Sequence, residues 1–355
     1  MSKVGPLLKI SEPNYSKGKG KIMKGRIKKF FPGGNTCLGF YSFFDYILDE
    51  GARRLFIIKG EPGVGKSTFM RSIGEAMRDL GLDVEFHYCS SDVDSLDGVV
   101  IPSLKIGLVD GTFPHVVDPR YPGLREEIVD LGAFRDDQRS EKHRKEIVRD
   151  NEILKKFYQL AYNNLKEAWI IREEWKLHIK EARHWPSFYR AKRRLLGDVF
   201  QDSEGDSHLK ERHLFAGGIT PAGWVRDNIS TLLWEVERIF LLRGEPGSGV
   251  PEILAAVVLE AKERGLPREV YHSPFDPREV DLVILPTLKT AVMRAYEGDD
   301  FIGGWAWRSE SWISTIFLRG KPYPGGRCRK PRSASGTRWD GRSPTCGRPR
   351  VHTIV

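Results

Sequence analysis

The stretch Gly60-Glu61-Pro62-Gly63-Val64-Gly65-Lys66-Ser67-Thr68 sets glycines, one lysine and two adjacent hydroxyls in an order that suits phosphate. Glycines allow backbone N–H groups to turn inward around phosphate oxygens with no Cβ in the way. Lys66 would reach the β- and γ-phosphates of a nucleotide, and the Ser67 hydroxyl would hold Mg²⁺. Such a loop works only at the start of a helix, where unpaired N–H groups and the positive end of the macrodipole favour an anion. The flanking residues supply that setting. Leu55-Phe56-Ile57-Ile58 reads as a buried parallel strand over Leu55–Lys59. Phe69, Ile73, Met77 and Leu80 recur at helical spacing, which predicts a helix over Lys66–Leu80.

The chain also aligns with itself, without a gap, at a shift of 184 positions. Phe31-Pro32-Gly33-Gly34-Asn35-Thr36 falls on Phe215-Ala216-Gly217-Gly218-Ile219-Thr220. Arg54 to Gly63 falls on Arg238 to Gly247, and Val100 to Lys105 on Ile284 to Lys289. This predicts a tandem duplication of one phosphate-loop (P-loop) unit. The second copy keeps the turn from Gly244 to Gly249 and loses the chemistry. Val250 stands opposite Lys66, Pro251 opposite Ser67 and Glu252 opposite Thr68. Pro251 is tolerated at a helix start, but Glu252 puts negative charge where a phosphate would sit. The second loop is therefore expected to be a scaffold copy. The alternative is that it takes an uncharged or cationic ligand.

A P-loop enzyme also needs an acid near Mg²⁺, usually at the end of an apolar strand. Asp110 ends Ile106-Gly107-Leu108-Val109 and is the first candidate metal-binding and catalytic acid beside Lys66. Its counterpart is Arg294, so the acid and the lysine are lost together. Asp92, after the strand predicted at Val84–Tyr88, is the rival; its counterpart Asp276 persists, which suits a turn or cap better. Asp94 and Asp97 read as cap or turn residues. His115 and Asp118, in the polar loop after Asp110, could position water or substrate. The sequence has no N-K-x-D element for guanine, which favours ATP.

The formal charge of +9 points toward nucleic acid until its placement is considered. Residues 319–355 carry ten Lys and Arg against the single acid Asp340, so the rest of the chain is neutral. Nucleic acid is thus not expected as a partner except through this tail. No apolar run is long enough for a membrane helix, and the polar N-terminus has no apolar core of a secretory signal. Cys37, Cys89, Cys328 and Cys346 show no metal-ligand spacing, and a reducing cytoplasm is expected.

Five segments are predicted: a flexible basic leader (1–28), the first P-loop unit (29–135), a helical arm or hairpin (136–212), a degenerate second P-loop unit (213–318) and a disordered basic tail (319–355). Alternating strands and helices imply an α/β fold of two mostly parallel, doubly wound sheets. The arm shows an apolar stripe through Ile147, Leu154, Phe157, Ala161, Ala168 and Ile171, and Pro186 should end or kink it. The repeat calls for a second arm near position 320, where helical character stops. A truncated arm followed by a tail read in a shifted frame would explain this. The alternative is a genuine basic tail that touches anionic partners.

Phe30–Thr36, Gly60–Thr68, Cys89-Ser90-Ser91-Asp92, Asp97–Pro102 and Asp110–Pro119 together resemble an uncharacterised bacterial family of tandem P-loop ATPases. The resemblance covers Lys24 to Ile316. It implies a duplicated cytoplasmic P-loop NTPase fold with ATP bound at the first loop, and no particular substrate. Members of that family keep G-K-[ST] in both loops and end in a helical segment; this chain does neither. The expected activity is Mg²⁺-dependent ATP hydrolysis at one competent site. The alternatives are a P-loop kinase acting on a small molecule, with the arm as a lid, or a nucleotide-gated protein whose arm docks a protein partner.

Overall fold

The computed structural model describes residues 23–49, 51–112, 116–134, 143–205 and 211–296, together with the backbone of two strands near the C-terminus. The first unit is built on β1 (Ile27–Phe30), β4 (Arg54–Lys59), β5 (Val84–Tyr88), β6 (Leu96–Ile101), β7 (Ile106–Asp110) and β8 (Glu126–Asp130), in the order β1-β5-β6-β7-β4-β8. A short hairpin of β2 (Gly33–Thr36) and β3 (Gly39–Ser42) stands apart. β1 starts at Ile27, so the unit begins two residues inside the segment expected to be leader. The β1–β5, β7–β4 and β4–β8 pairs are parallel, whereas β6 runs antiparallel to both neighbours. The sheet is therefore mixed, because Pro102 to Lys105 makes a tight turn that reverses the chain from β6 into β7. Every residue of β6 is buried, as the run Leu-Asp-Gly-Val-Val-Ile at a sheet centre requires.

Helix α1 (Lys66–Asp79) packs Met70 onto Phe86, Val99 and Leu108. Its end follows from Gly81, at φ +87°, with Leu82 N–H bonded to Met77 O at 3.2 Å; only glycine enters that left-handed position cheaply.

Helix α2 (Arg144–Glu181) is a single helix of 38 residues with no fully buried side chain, and α3 (Trp185–Phe200) starts with Pro186 in its first turn. The arm is thus long and only partly packed; much of its apolar stripe, including Leu154 and Phe157, is exposed.

The second unit comprises β9 (Glu211–Phe215), the hairpin β10 (Gly218–Thr220) and β11 (Gly223–Val225), the short α4 (Ile229–Leu232), β12 (Arg238–Gly244), α5 (Val250–Glu263), β13 (Arg268–His272), β14 (Val280–Leu285), β15 (Thr290–Arg294), β16 (Trp312–Leu318) and β17 (Val351–Ile354). Its sheet order, β9-β13-β14-β15-β12-β16-β17, repeats that of the first with the same strand senses. One further parallel strand, β17, follows β16. β17 falls within the tail expected to be unstructured; 319–350 lie outside the described residues.

Equivalent positions of the two units touch reciprocally. Phe215 N–H donates to Phe31 O at 3.0 Å. Gly34 faces the Phe215 ring while Gly218 faces the Phe31 ring, and such reciprocity marks a local two-fold axis. Across the same junction Arg212 grips Glu85 with two bonds of 3.0 and 2.6 Å. Burial opposes ionisation of Glu85, but Arg212 and His87 hold its pKa well below the carboxylate range.

The arm is anchored on the second unit. Glu279 Oε1 accepts from Arg172 at 3.1 Å and Lys176 at 2.8 Å, and Oε2 from Arg172 at 2.5 Å and Arg294 at 3.3 Å. Burial pushes the Glu279 pKa up, and the Arg172 and Lys176 contacts bring it below normal. Glu279→Gln is expected to lower the unfolding free energy at pH 7 by about 3 kcal/mol, because three cations lose their shared carboxylate. The folded pKa lies below the unfolded one, so the wild-type advantage is full above about pH 4.5 and is lost as pH falls. Urea midpoints of both proteins between pH 7 and 4 check this: the gap should narrow on acidification.

Candidate functional site

The chemistry-bearing loop sits where β4 ends and α1 begins. Gly63 and Gly65 have φ of +88° and +90°, and a Cβ on either would meet nothing within 4 Å. The backbone here is curled and open on its outer side, with Glu61, Pro62, Gly63 and Gly65 exposed. Lys66 points back into the loop: Nζ donates to Gly60 O at 2.8 Å and Glu61 O at 3.2 Å, and the residue is only 8 % exposed. A cation is thus held within the curve of the loop by two backbone carbonyls.

Asp110, at the end of β7, lies across from Lys66 with Oδ2 3.6 Å from Nζ. Its Oδ1 accepts from Thr112 N–H at 2.9 Å and Thr112 Oγ1 at 2.5 Å. The parallel pairing of β7 with β4 puts Asp110 beside Ile58, two residues before the loop. Ser67 Oγ accepts from Leu96 N–H at 2.9 Å and ties the loop to β6. Ser67 and Asp110 offer only oxygen donors, which fits Mg²⁺.

Asp92 is placed differently. Its Oδ1 accepts from Asp94 N–H at 3.2 Å and its Oδ2 from Ser95 Oγ at 2.6 Å, so both oxygens serve the turn before β6. Asp276 makes the same turn with Arg278 N–H at 3.1 Å. Asp118 is exposed and 3.4 Å from Lys59, whose Nζ also donates to Gly111 O and Val117 O. His115 lies outside the described residues.

Asp97 is a correction. It is neither cap nor turn but a residue of β6, 5 % exposed. The antiparallel register that pairs Gly98 with Val109 brings Asp97 across from Asp110. A shift of register between His87 and Tyr88 on the neighbouring strand re-aims this stretch. Burial, then the charges of Asp110 and Asp92, push the Asp97 pKa up to about 7. Its sequence neighbours resemble a turn, so only the strand pairing reveals it. Its counterpart Asp281 faces Arg294 at 3.8 Å instead, so the second unit turns the acid pair into an ion pair. Nearby, burial and then Asp97 push the Cys89 thiol up to about 12, so it is no nucleophile at neutral pH.

Glu173, Asp276 and Glu279 also converge, with carboxylate oxygens within 4.8 Å of one another. Each is already met by a cation, Lys176, Arg278 or Arg172, so the cluster serves as an arm anchor.

No protein-family model, curated protein or solved structure matches the chain. Among the described residues no helix is long and apolar enough to cross a membrane.

Proposed function

We propose that this chain is a cytoplasmic, Mg²⁺-dependent ATPase built from two P-loop units, of which the first alone is competent. The observation that carries this reading is the Lys66–Asp110 pair at the mouth of an open glycine loop. Backbone N–H groups of the loop and the start of α1 would bind the β- and γ-phosphates, with Lys66 neutralising their charge. Mg²⁺ bound through Ser67 and Asp110 would supply stabilisation of charge on the transferring phosphoryl group. Asp110 holds Lys66 in place before nucleotide arrives, and Thr112 orients Asp110. The incompetence of the second site is read from Val250 and Pro251 at the corresponding positions.

The test is turnover of labelled ATP by the purified protein, with and without cell extract, alongside calorimetry with a non-hydrolysable analogue. The expected result is free phosphate as product and a stoichiometry near one nucleotide per chain. A labelled metabolite appearing only with extract would replace hydrolase by kinase. Binding without turnover would leave a nucleotide-gated interaction protein, and a stoichiometry near two would overturn the single-site reading.

A further inference from the structure

The second loop has not simply lost residues; something else sits on it. Gly247, Ser248 and Gly249 are buried, whereas Gly63 and Gly65 are exposed. The cover is the corner between α2 and α3. Arg183 is itself buried, donates from Nε to Gly247 O at 3.2 Å and from Nη2 to the same oxygen, and pairs with Glu252 at 3.0 Å. Its guanidinium lies 4.9 Å from the Trp185 ring centre and 4.7 Å from that of Phe188. A Cβ on Gly247 would come within 2.4 Å of Lys176 O, and one on Gly249 within 2.3 Å of the Phe188 ring. No phosphate can enter that space.

We infer that the second P-loop is a cation-binding socket whose ligand is the guanidinium of Arg183 on the chain's own arm. The chemistry is the inverse of the first loop. There Lys66 provides the cation to the loop carbonyls from within; here Val250 cannot, and Arg183 provides it from outside. Glu252, which would repel phosphate, becomes the counter-ion of the arm. Aromatic stacking and a carbonyl acceptor select a planar guanidinium over an ammonium. The loop retains its shape because the same curled backbone that surrounds a phosphate also presents Gly247 O outward. The site is silent through occlusion as well as through the lost lysine, and the arm is held across the two units by this plug. Nothing in this inference depends on nucleotide binding at the first loop.

The equivalence of the two loops supplies a controlled test. Gly63 and Gly247 have φ of +88° and +89°, so alanine carries the same backbone strain at both. Only at 247 does the added methyl meet the arm. In nucleotide-free protein, Gly247→Ala and Arg183→Ala are expected to speed amide hydrogen exchange over 176–188 by about tenfold or more, with Gly63→Ala unchanged there. Glu252→Gln, at a half-exposed position that folding tolerates, should give a smaller rise of about threefold. A chain carrying Val250→Lys, Pro251→Ser and Glu252→Thr should bind no more Mg²⁺-ADP than wild type while Arg183 is present. Unchanged exchange in Arg183→Ala, an equal response to the two glycine substitutions, or one more bound ADP than wild type in the triple variant with the arm in place would each overturn the proposal.

Discussion

Lys66→Ala is expected to weaken ATP binding by about 100-fold or more. Its ammonium would make charge-assisted bonds to two phosphates, each worth roughly 1.5–3 kcal/mol, and every 1.4 kcal/mol is tenfold in affinity. In the nucleotide-free protein Nζ is held by Gly60 O, Glu61 O and the Asp110 carboxylate, so the charge is in place before the ligand arrives. Val250→Ala, at the corresponding place in the second unit, should leave affinity unchanged, because no phosphate reaches that loop. Calorimetry on both variants, with circular dichroism to confirm the fold, is the measurement. Affinity of Lys66→Ala within about threefold of wild type would mean that phosphate does not sit in this loop.

Asp110→Asn should behave differently, lowering turnover by about 10²–10³-fold while nucleotide affinity stays within about threefold. A metal held as proposed would act mainly on charge that develops in the transition state, so removing the acid proposed to anchor it acts on the reaction more than on binding. Asp97→Asn tests the partner acid through stability. Its folded pKa of about 7 lies above the ordinary 3.8, so its favourable contribution is full below pH 3.8 and is lost as pH rises to about 7. The uncharged asparagine escapes this loss. The nucleotide-free Asp97→Asn protein should therefore be more stable than wild type at pH 8, by on the order of 2 kcal/mol, with no gain near pH 4. Thermal unfolding at the two pH values reads it. A variant less stable than wild type at pH 8 would show that burial and its acidic neighbours do not penalise the Asp97 carboxylate.

These effects rest on two carboxylates placed side by side in a buried strand pair, which disfavours folding unless a cation is near. The second unit shows the other solution. Once the lysine is gone, Arg294 replaces the acid opposite Asp281 and donates a further bond to Glu279. The two copies thus carry opposite charge at one strand end: Asp110 faces Lys66 in the first, and Arg294 faces Glu279 and Asp281 in the second.

Much of the local structure was legible in the residues. Strand, loop and helix around Gly60–Thr68 follow from an apolar run, glycine spacing and helical periodicity, all interactions among near neighbours in the chain. The repeat at 184 positions foretold two sheets of like topology, and the substitution of Lys66 by Val250 foretold a difference between their loops. Asp110 could be placed because a polar residue ending an apolar strand must lie at the sheet edge. The antiparallel sense of β6 and the pairing of Asp97 with Asp110 could not, because strand direction is decided by which neighbours a strand finds, not by its own pattern. Arg183 was equally hidden: it is 64 residues from Gly247, and nothing in a basic side chain near Trp185 tells which loop it will fill. Glu252 was the one local sign that the second loop had come to prefer positive charge. Which cation would satisfy it was decided only when a 38-residue helix crossed from one unit to the other, because a contact of that span is set by the packing of whole elements.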